Sequence, residues 1–456
     1  MIKRIAGGVN SVVEHYVLAV MLLAVAALTV GGVGAPEAVG VTGLILCAAG
    51  LSRGAAKVDL WVLIALAAYL VIGDISSYVT YGYLTGGYTA TQSVLLVLYL
   101  LMACLDGEEL RLFRRLSVLW AGCVAAQGLA RFLGKALDGS AGRLGGMLGN
   151  PNALGIFLVM AWFGLKAWMP GEEETGLLPA VLRRLEPLLL TALALTLSMG
   201  SFVALAAGMA YLAVGWLRRE GWRTAFARTC RMLAKAALGV GLGVLMYFTA
   251  RRTGVPWLCL VELAYLLALM ALWERLDCFL RELPWAAAAM SGFGGLVAAA
   301  TIAIRPSSIA TFLERLEMMR NGLGYVLVNP LLGVGPYQWR LLNLGDADPY
   351  FNTWHIHNIP IHIAVELGLP ALAALVVLVV RVYRKKGPNR AGFTALACHC
   401  LMDTGFFYLG TMSLMTATVA EPQEGGAQLS SGAVKLLFLA AGAQFVYSIC
   451  IARVLA

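Results

Sequence analysis

The sequence predicts an all-α fold: a polytopic transmembrane helical bundle of roughly 12 to 14 spans with one long extracytoplasmic loop. Three observations predict it. The 456 residues are 60% hydrophobic and only 13% charged, with a mean hydropathy of +0.80, far from the composition of a soluble domain. Apolar runs of about 20 residues, the length that crosses a bilayer, recur from end to end. The basic residues gather in alternate connections between those runs, as the positive-inside rule requires. This composition excludes a water-soluble enzyme, a disordered chain and a disulfide-stapled secreted protein.

Apolar runs bounded by Gly, Pro or charge give the spans in order: 12–30, 36–51, 59–79, 90–105, 116–133, 152–169, 187–199, 201–217, 233–250, 255–272, 284–304, 359–380, 391–410 and 433–452. Met1 to Asn10 carries Lys3 and Arg4 without a small-residue cleavage site, so the first run reads as a retained anchor. The runs 36–51 and 187–199 are short and read as spans or re-entrant segments. Residues 1–456 form a single integral membrane domain on this reading. The nine cysteines lie mostly inside apolar runs with no paired CxxC spacing, which makes them small core hydrophobes.

The net charge of +9 could suggest nucleic acid, yet its distribution reads as topology. With the N-terminus in the cytoplasm, the cytoplasmic segments hold 24 of the 34 Lys and Arg and the outer segments the other 10. Both termini are therefore expected in the cytoplasm of a multi-pass protein of the cytoplasmic membrane, with the lipid bilayer as partner and no nucleic acid. The clusters Arg218 to Lys235 and Arg381 to Arg390 serve as orientation signals against anionic lipid.

Residues 305–358 break the pattern of short connections, and loops of that length usually carry function. Ile309, Phe312, Leu313, Leu316, Met319, Leu323, Val326 and Leu327 recur at helical spacing, so Ser308 to Val328 is predicted as an amphipathic helix lying on the outer membrane surface. Glu314, Arg315, Glu317 and Arg320 sit on its opposite face. The helix should end near Asn329-Pro330, and Leu332-Gly333-Val334-Gly335-Pro336 follows as a turn that can bring backbone close to a ligand.

Where the loop returns to the membrane, His355, His357 and His362 fall within eight residues, followed by Glu366. Polar groups at that depth are costly to desolvate and mark a site. The three histidines lack helical i,i+3 or i,i+4 spacing and an accompanying acidic or Cys set, which disfavours metal. Asp346-Ala-Asp348 resembles a metal-holding DxD, but three residues before a proline suit a solvated turn better. Earlier, Gly142-Arg143 and Gly149-Asn150-Pro151-Asn152 lead into a span. They read either as a capped helix start or, with open backbone and an arginine at a helix N-terminus, as an anion site.

Four motifs in order resemble the bacterial O-antigen ligase and O-antigen polymerase superfamily. They are Leu148-Gly149-Asn150-Pro151-Asn152-Ala-Leu entering a helix, Arg315-Leu-Glu-Met-Met-Arg320-Asn-Gly on the loop helix, Asn329-Pro-Leu-Leu-Gly-Val-Gly-Pro336 after it, and His357-Asn358 with Glu366-Leu-Gly-Leu-Pro370 closing the loop. His399-Cys-Leu-Met-Asp403 is a weaker echo. The resemblance covers residues 142 to 370. It implies a polytopic glycosyltransferase that moves a glycan from undecaprenyl diphosphate to a carbohydrate or envelope acceptor on the outer face of the cytoplasmic membrane. The anomeric centre is inverted, and neither cofactor nor metal is needed. The resemblance also implies a loop arginine that grips diphosphate, matching Arg315, and an essential loop histidine, matching His357. Many members carry Ser-Arg-Gly at the outer end of a mid-chain helix, where this chain reads Ser198-Met199-Gly200. Either Arg143, Arg251 or Arg252 replaces that arginine, or activity is altered or lost.

The chemistry required matches residue classes present here. Arg315, with Arg143 and Arg320, would hold and stabilise the departing diphosphate. His357 would accept the proton of the acceptor hydroxyl, with Glu366 orienting it. Asn150, Asn152 and Asn358 complete the candidate binding set. A transporter or flippase is the competing class, but it should show two related halves with paired broken helices, and the sequence has no such symmetry. A ligase and a polymerase differ only in the acceptor, which the sequence leaves open.

Overall fold

A computed structural model describes residues 15–31, 35–169, 171, 173–304, 308–345, 353–384, 389–420 and 426–455. The chain is a polytopic helical bundle. In chain order its helices are α1 (Tyr16–Thr29), α2 (Pro36–Leu51), α3 (Leu60–Tyr81), α4 (Gly86–Ala103), α5 (Gly107–Leu137), α6 (Pro151–Ala167), α7 (Leu177–Arg184), α8 (Glu186–Thr196), α9 (Met199–Glu220) and α10 (Trp222–Arg252). They continue as α11 (Leu258–Glu282), α12 (Pro284–Ile304), α13 (Ser308–Val328), α14 (Gln338–Gly345), α15 (Ile359–Leu367), α16 (Leu369–Arg384), α17 (Arg390–Cys400), α18 (Leu409–Val419) and α19 (Ser431–Leu455). Two three-residue strands, β1 (Ala56–Val58) and β2 (Ala427–Leu429), pair antiparallel with Ala56 opposite Leu429. Among the described residues, α3, α4, α5, α9, α10 and α19 are long and apolar enough to cross a membrane, and α1, α2, α6, α8 and α18 are shorter apolar helices. The nine cysteines are unpaired.

The loop helix predicted over Ser308 to Val328 is α13, with the same ends. Phe312, Leu313, Leu316, Leu323 and Leu327 lie exposed on it, while Met318 and Val326 are buried. The expected spans differ from the helices where backbone chemistry interrupts an apolar run. The run 187–199 stops at Thr196, because Leu197 turns left-handed (φ 46°) before Ser198 caps α9. The run 359–380 is divided at Gly368, whose φ of 86° only glycine adopts readily. The run 391–410 ends as a helix at Cys400, and a turn precedes the separate helix α18, which hydropathy alone had merged into one span. Conversely, α5 and α10 extend beyond their apolar runs, because their charged ends still form helix outside the hydrocarbon.

The helices cluster into two compact units: residues 1–116, 315–387 and 406–456, and residues 117–314 and 388–405. In the first, Asp59 accepts from the backbone N–H groups of Trp61 and Val62 to start α3. The same carboxylate accepts from Arg381 at 2.9 Å, which fixes the far end of α16 beside that start. Deeper in, Asp74 of α3 accepts from Thr89 of α4 and Gln444 of α19 at 2.8 and 2.7 Å. Lipid offers no hydrogen bonds, so polar groups at this depth must satisfy one another.

The second unit is tied together by Glu186, 1% exposed at the start of α8. It accepts from the indole N–H groups of Trp162 (3.1 Å, α6) and Trp273 (3.0 Å, α11). It also pairs with Lys166 of α6 and, at 2.9 Å, with Lys235 of α10. Lys235 reaches on to Asp277 at 2.8 Å, which accepts in turn from Arg281. Four helices thus meet on one carboxylate.

Candidate functional site

In the first unit, α13 and the chain from Thr353 to Glu366 pack on a core of Met318, Val326, Trp339, Ile356, Ala364 and Val365. Asn358 caps α15, its Oδ1 accepting from the N–H of Ile361 at 3.0 Å, with Pro360 in the first turn. This cap is why the helix begins two residues after His357. The Asn358 amide also reaches the Met319 sulfur at 3.8 Å. Arg315, half-buried, stands one helical turn before Met319 on the same face of α13, and Arg320 is exposed on that helix. His357 is half-buried at the loop end.

Behind this edge lies a buried polar chain. His362 and Glu366 are both fully buried, one helical turn apart on α15. His362 Nε2 is 3.4 Å from Glu366 Oε2 and 3.3 Å from His355 Nδ1. One nitrogen facing two acceptors fits a proton on Nε2 shared between them. The other nitrogen, Nδ1, has no hydrogen-bond partner among the described residues, as suits a bare lone pair. The Tyr88 hydroxyl donates to Glu366 Oε2 at 3.0 Å. Phe407 packs on both rings, its centroid 4.5 Å from that of His355 and 5.3 Å from that of His362. A cavity of about 30 Å³ lies beside His355, with Tyr69, Tyr88, Gln92, Tyr337 and Phe407 in its wall, a space fit for about one water. Burial, and then the neighbouring His357, push the pKa of His355 down to about 4, so it is a neutral imidazole at physiological pH.

Glycine chemistry builds the floor of this site. Val334 and Gly335 donate their N–H groups to the carbonyls of Val365 and Glu366 at 2.7 and 3.0 Å, and Leu369 donates to Pro330 at 2.8 Å. Ser76 of α3 donates to the Leu332 and Glu366 carbonyls. The turn therefore brings backbone close to the end of α15 rather than to an open ligand cradle. Gly333 has φ 67°, and a Cβ there would run into the backbone of Glu366. Gly333→Ala is expected to cost upwards of ~2 kcal/mol, combining left-handed strain with the displaced clasp. A thermal midpoint equal to that of wild type would show that the clasp contributes nothing.

In the second unit the earlier motif is also assembled. Asn150 caps α6, accepting from the N–H groups of Asn152 and Ala153 at 2.8 and 3.3 Å. Arg143 donates from Nε to the Thr196 carbonyl at 2.9 Å and from Nη2 to Asn152 Oδ1 at 2.6 Å. Its guanidinium is thereby held on the turn that carries Met199, through the last residue of α8. Ser201 Oγ donates to Ser198 Oγ at 2.8 Å and reaches the Asn152 carbonyl at 3.4 Å.

Residues 188–376 match the family model described as O-antigen ligase. Over that segment the chain is similar to the O-antigen ligase family. No curated protein matches it. The O-antigen ligase match includes Arg315, Arg320, His357, Asn358 and Glu366, while Arg143, Asn150 and Asn152 precede its first residue. This family comprises membrane enzymes of polysaccharide biosynthesis that join glycans, and the apolar helices make the chain an integral membrane protein.

The structure joins Arg143, Asn150 and Asn152 in one unit, and in the other it brings Asn358 to Met319 of α13, the helix that carries Arg315. Glu366 does not reach His357 directly: it meets His362, Tyr88 and the backbone N–H groups of Tyr337 and Trp339. The sequence reading missed Tyr88, Gln92 and Tyr337. Tyr88, Thr89, Gln92 and Ser93 together on one membrane helix were the available signal, since polar residues there need partners. Asp346 and Asp348 lie outside the described residues. Among the described residues no cluster of three or more His, Cys, Asp or Glu could hold a metal ion.

Proposed function

We propose that this protein transfers a glycan from undecaprenyl diphosphate to a carbohydrate or envelope acceptor on the outer face of the cytoplasmic membrane. On this reading the transfer inverts the anomeric centre and uses no metal. Residues 1–456 act as a single integral membrane domain with both termini in the cytoplasm and 305–358 as the outer loop. The observation that carries the proposal is the contact of Asn358, next to His357, with Met319 of α13, the helix that bears Arg315, inside the segment that matches the O-antigen ligase family.

The roles follow from charge and geometry. Arg315, with Arg320 on the same helix, grips the diphosphate through forked, charge-assisted hydrogen bonds. The acceptor hydroxyl attacks the anomeric carbon from the face opposite the diphosphate, forming the new C–O bond as the bond to the phosphate oxygen breaks. The diphosphate leaves with that electron pair, and the arginines stabilise the charge it gains. His357 takes the hydroxyl proton. Asn358 fixes the backbone that presents it. Arg143 fills the place that Met199 vacates, since its guanidinium is anchored on the Thr196 carbonyl and on Asn152.

Transfer in reconstituted membranes tests this with undecaprenyl-diphosphate oligosaccharide, candidate acceptors and chelator present. His357→Ala is expected to lower the rate by about 10²- to 10⁴-fold, and Arg315→Ala comparably, with both proteins still inserted. Arg315→Lys should recover little, because a point charge cannot fork onto diphosphate. Full activity in either alanine variant refutes the role assigned to that residue, and activity lost in chelator refutes the metal-free reaction. Product size separates single ligation from polymerisation.

A further inference from the structure

A second candidate site lies entirely within the second unit. The helices α10, α11 and α12 enclose a groove of about 1240 Å³, open along its length and lined mainly by apolar side chains. Leu245, Phe248, Val261 and Tyr265 line it and are exposed. At one end stand Arg251 and Arg252, the last two residues of α10, both exposed. Arg251 gives one N–H to the Ala141 carbonyl at 3.1 Å, and neither arginine makes an ion pair among the described residues. Glu262, the acid in the groove, is occupied instead by Thr249, whose hydroxyl donates to Oε1 at 2.7 Å. Two arginines against one carboxylate leave this end with a net positive charge.

We infer that this groove binds a diacyl phospholipid with an anionic headgroup, its phosphate on Arg251 and Arg252 and an acyl chain along α10. Arginine pairs phosphate oxygens in a fork while its stem covers apolar surface, which suits the boundary between headgroup and hydrocarbon. Length selects the occupant. The lining runs from Arg252 to Leu238, a helical rise of roughly 20 Å. That is close to the ~15 Å hydrocarbon depth of one leaflet, so one acyl chain fits where a long polyprenyl chain would overrun. Thr249 and Glu262 lie one turn below the arginines, at the depth of a phospholipid's ester groups. On the orientation read from the charge count, this is an outer end, where basic residues are scarce. A pair of arginines there calls for an anionic partner. None of its lining residues is given a role in transfer, although Arg251 is tied to Ala141, two residues before Arg143.

The test uses the whole protein in phosphatidylcholine nanodiscs with two photoactivatable probes, a phosphatidylglycerol and the matching diacylglycerol without a headgroup. Labelling is read on peptides of α10 to α12 without any transfer reaction, so the result stands apart from the proposed activity. Phosphatidylglycerol is expected to label at least fivefold more than diacylglycerol. Joint Arg251→Gln and Arg252→Gln substitution should bring it down to the diacylglycerol level. Leu245→Trp should reduce labelling by filling the groove with both arginines intact, which covers the case of a misfolded double variant. Equal labelling by the two probes, or labelling unchanged in the variants, overturns the inference. Displacement of the probe by undecaprenyl diphosphate but not by unlabelled phosphatidylglycerol overturns it as well.

Discussion

Glu186→Ala is expected to destabilise the second unit by ~3–5 kcal/mol, because it leaves half-buried Lys166 without its carboxylate and buried Lys235 with Asp277 alone. The indoles of Trp162 and Trp273 lose their acceptor in the same step. For a unit of this size the thermal midpoint should fall by roughly 10 °C. Glu186→Gln should lose somewhat less, since a side-chain carbonyl can still accept from one indole. Replacing Glu186, Lys166 and Lys235 together by methionine should recover much of the loss, because removing the whole network removes the unpaired charge. The comparison variant is Glu220→Ala, which breaks a more exposed pair with Arg228 and should cost under ~1 kcal/mol. Unfolding of Glu186→Ala at the wild-type temperature would show that the four-helix junction is not held by this carboxylate.

Disruption of the buried chain His355, His362 and Glu366 is the second large effect. Glu366→Gln keeps the volume, and its carbonyl oxygen can take the place of Oε2 toward His362 and Tyr88, but its amide then meets the backbone N–H groups of Tyr337 and Trp339, which are donors too. If this chain holds the loop that carries His357, transfer should fall by about 10²-fold with little change in the retention of lipid-linked donor. Tyr88→Phe, which removes one donor and leaves the His362 contact, should fall less. An unchanged turnover in Glu366→Gln would sink the positioning role. The pH behaviour follows from His355. Its folded pKa of about 4 lies below the ~6.5 of an unfolded histidine, so the unfolded chain binds more protons between those values. Stability from this group is therefore fully present above about pH 6.5 and is lost as pH falls toward 4. Acid unfolding followed across that window should be less steep in His355→Phe, and an identical profile would remove His355 as its source.

Much of the architecture was written in one dimension. Hydropathy is a sum over neighbouring residues, so the membrane bundle and the helix Ser308 to Val328 could be read without coordinates. Cap chemistry is equally local: Asn150-Pro151 and Asn358 with Pro360 start α6 and α15 as their types dictate. Motif order likewise pointed to the O-antigen ligase family, which the segment 188–376 matches.

Tertiary structure decided the partners. Glu366 meets Tyr88 from 278 positions away, and no periodicity carries that pairing. Glu186 gave no sign in the sequence of four donors converging from three other helices. Arg143 donates to the Thr196 carbonyl and to Asn152, the first of them 53 positions away, a pairing that no local pattern carries. The breaks at Leu197 and Gly368 were hidden for the same reason, since hydropathy measures how well a stretch tolerates lipid and says nothing of φ. Transfer free energies act residue by residue and leave their mark on composition. Hydrogen bonds between distant side chains depend on distances fixed only when the helices pack, so the bundle was legible in the sequence and the wiring of its buried charges was not.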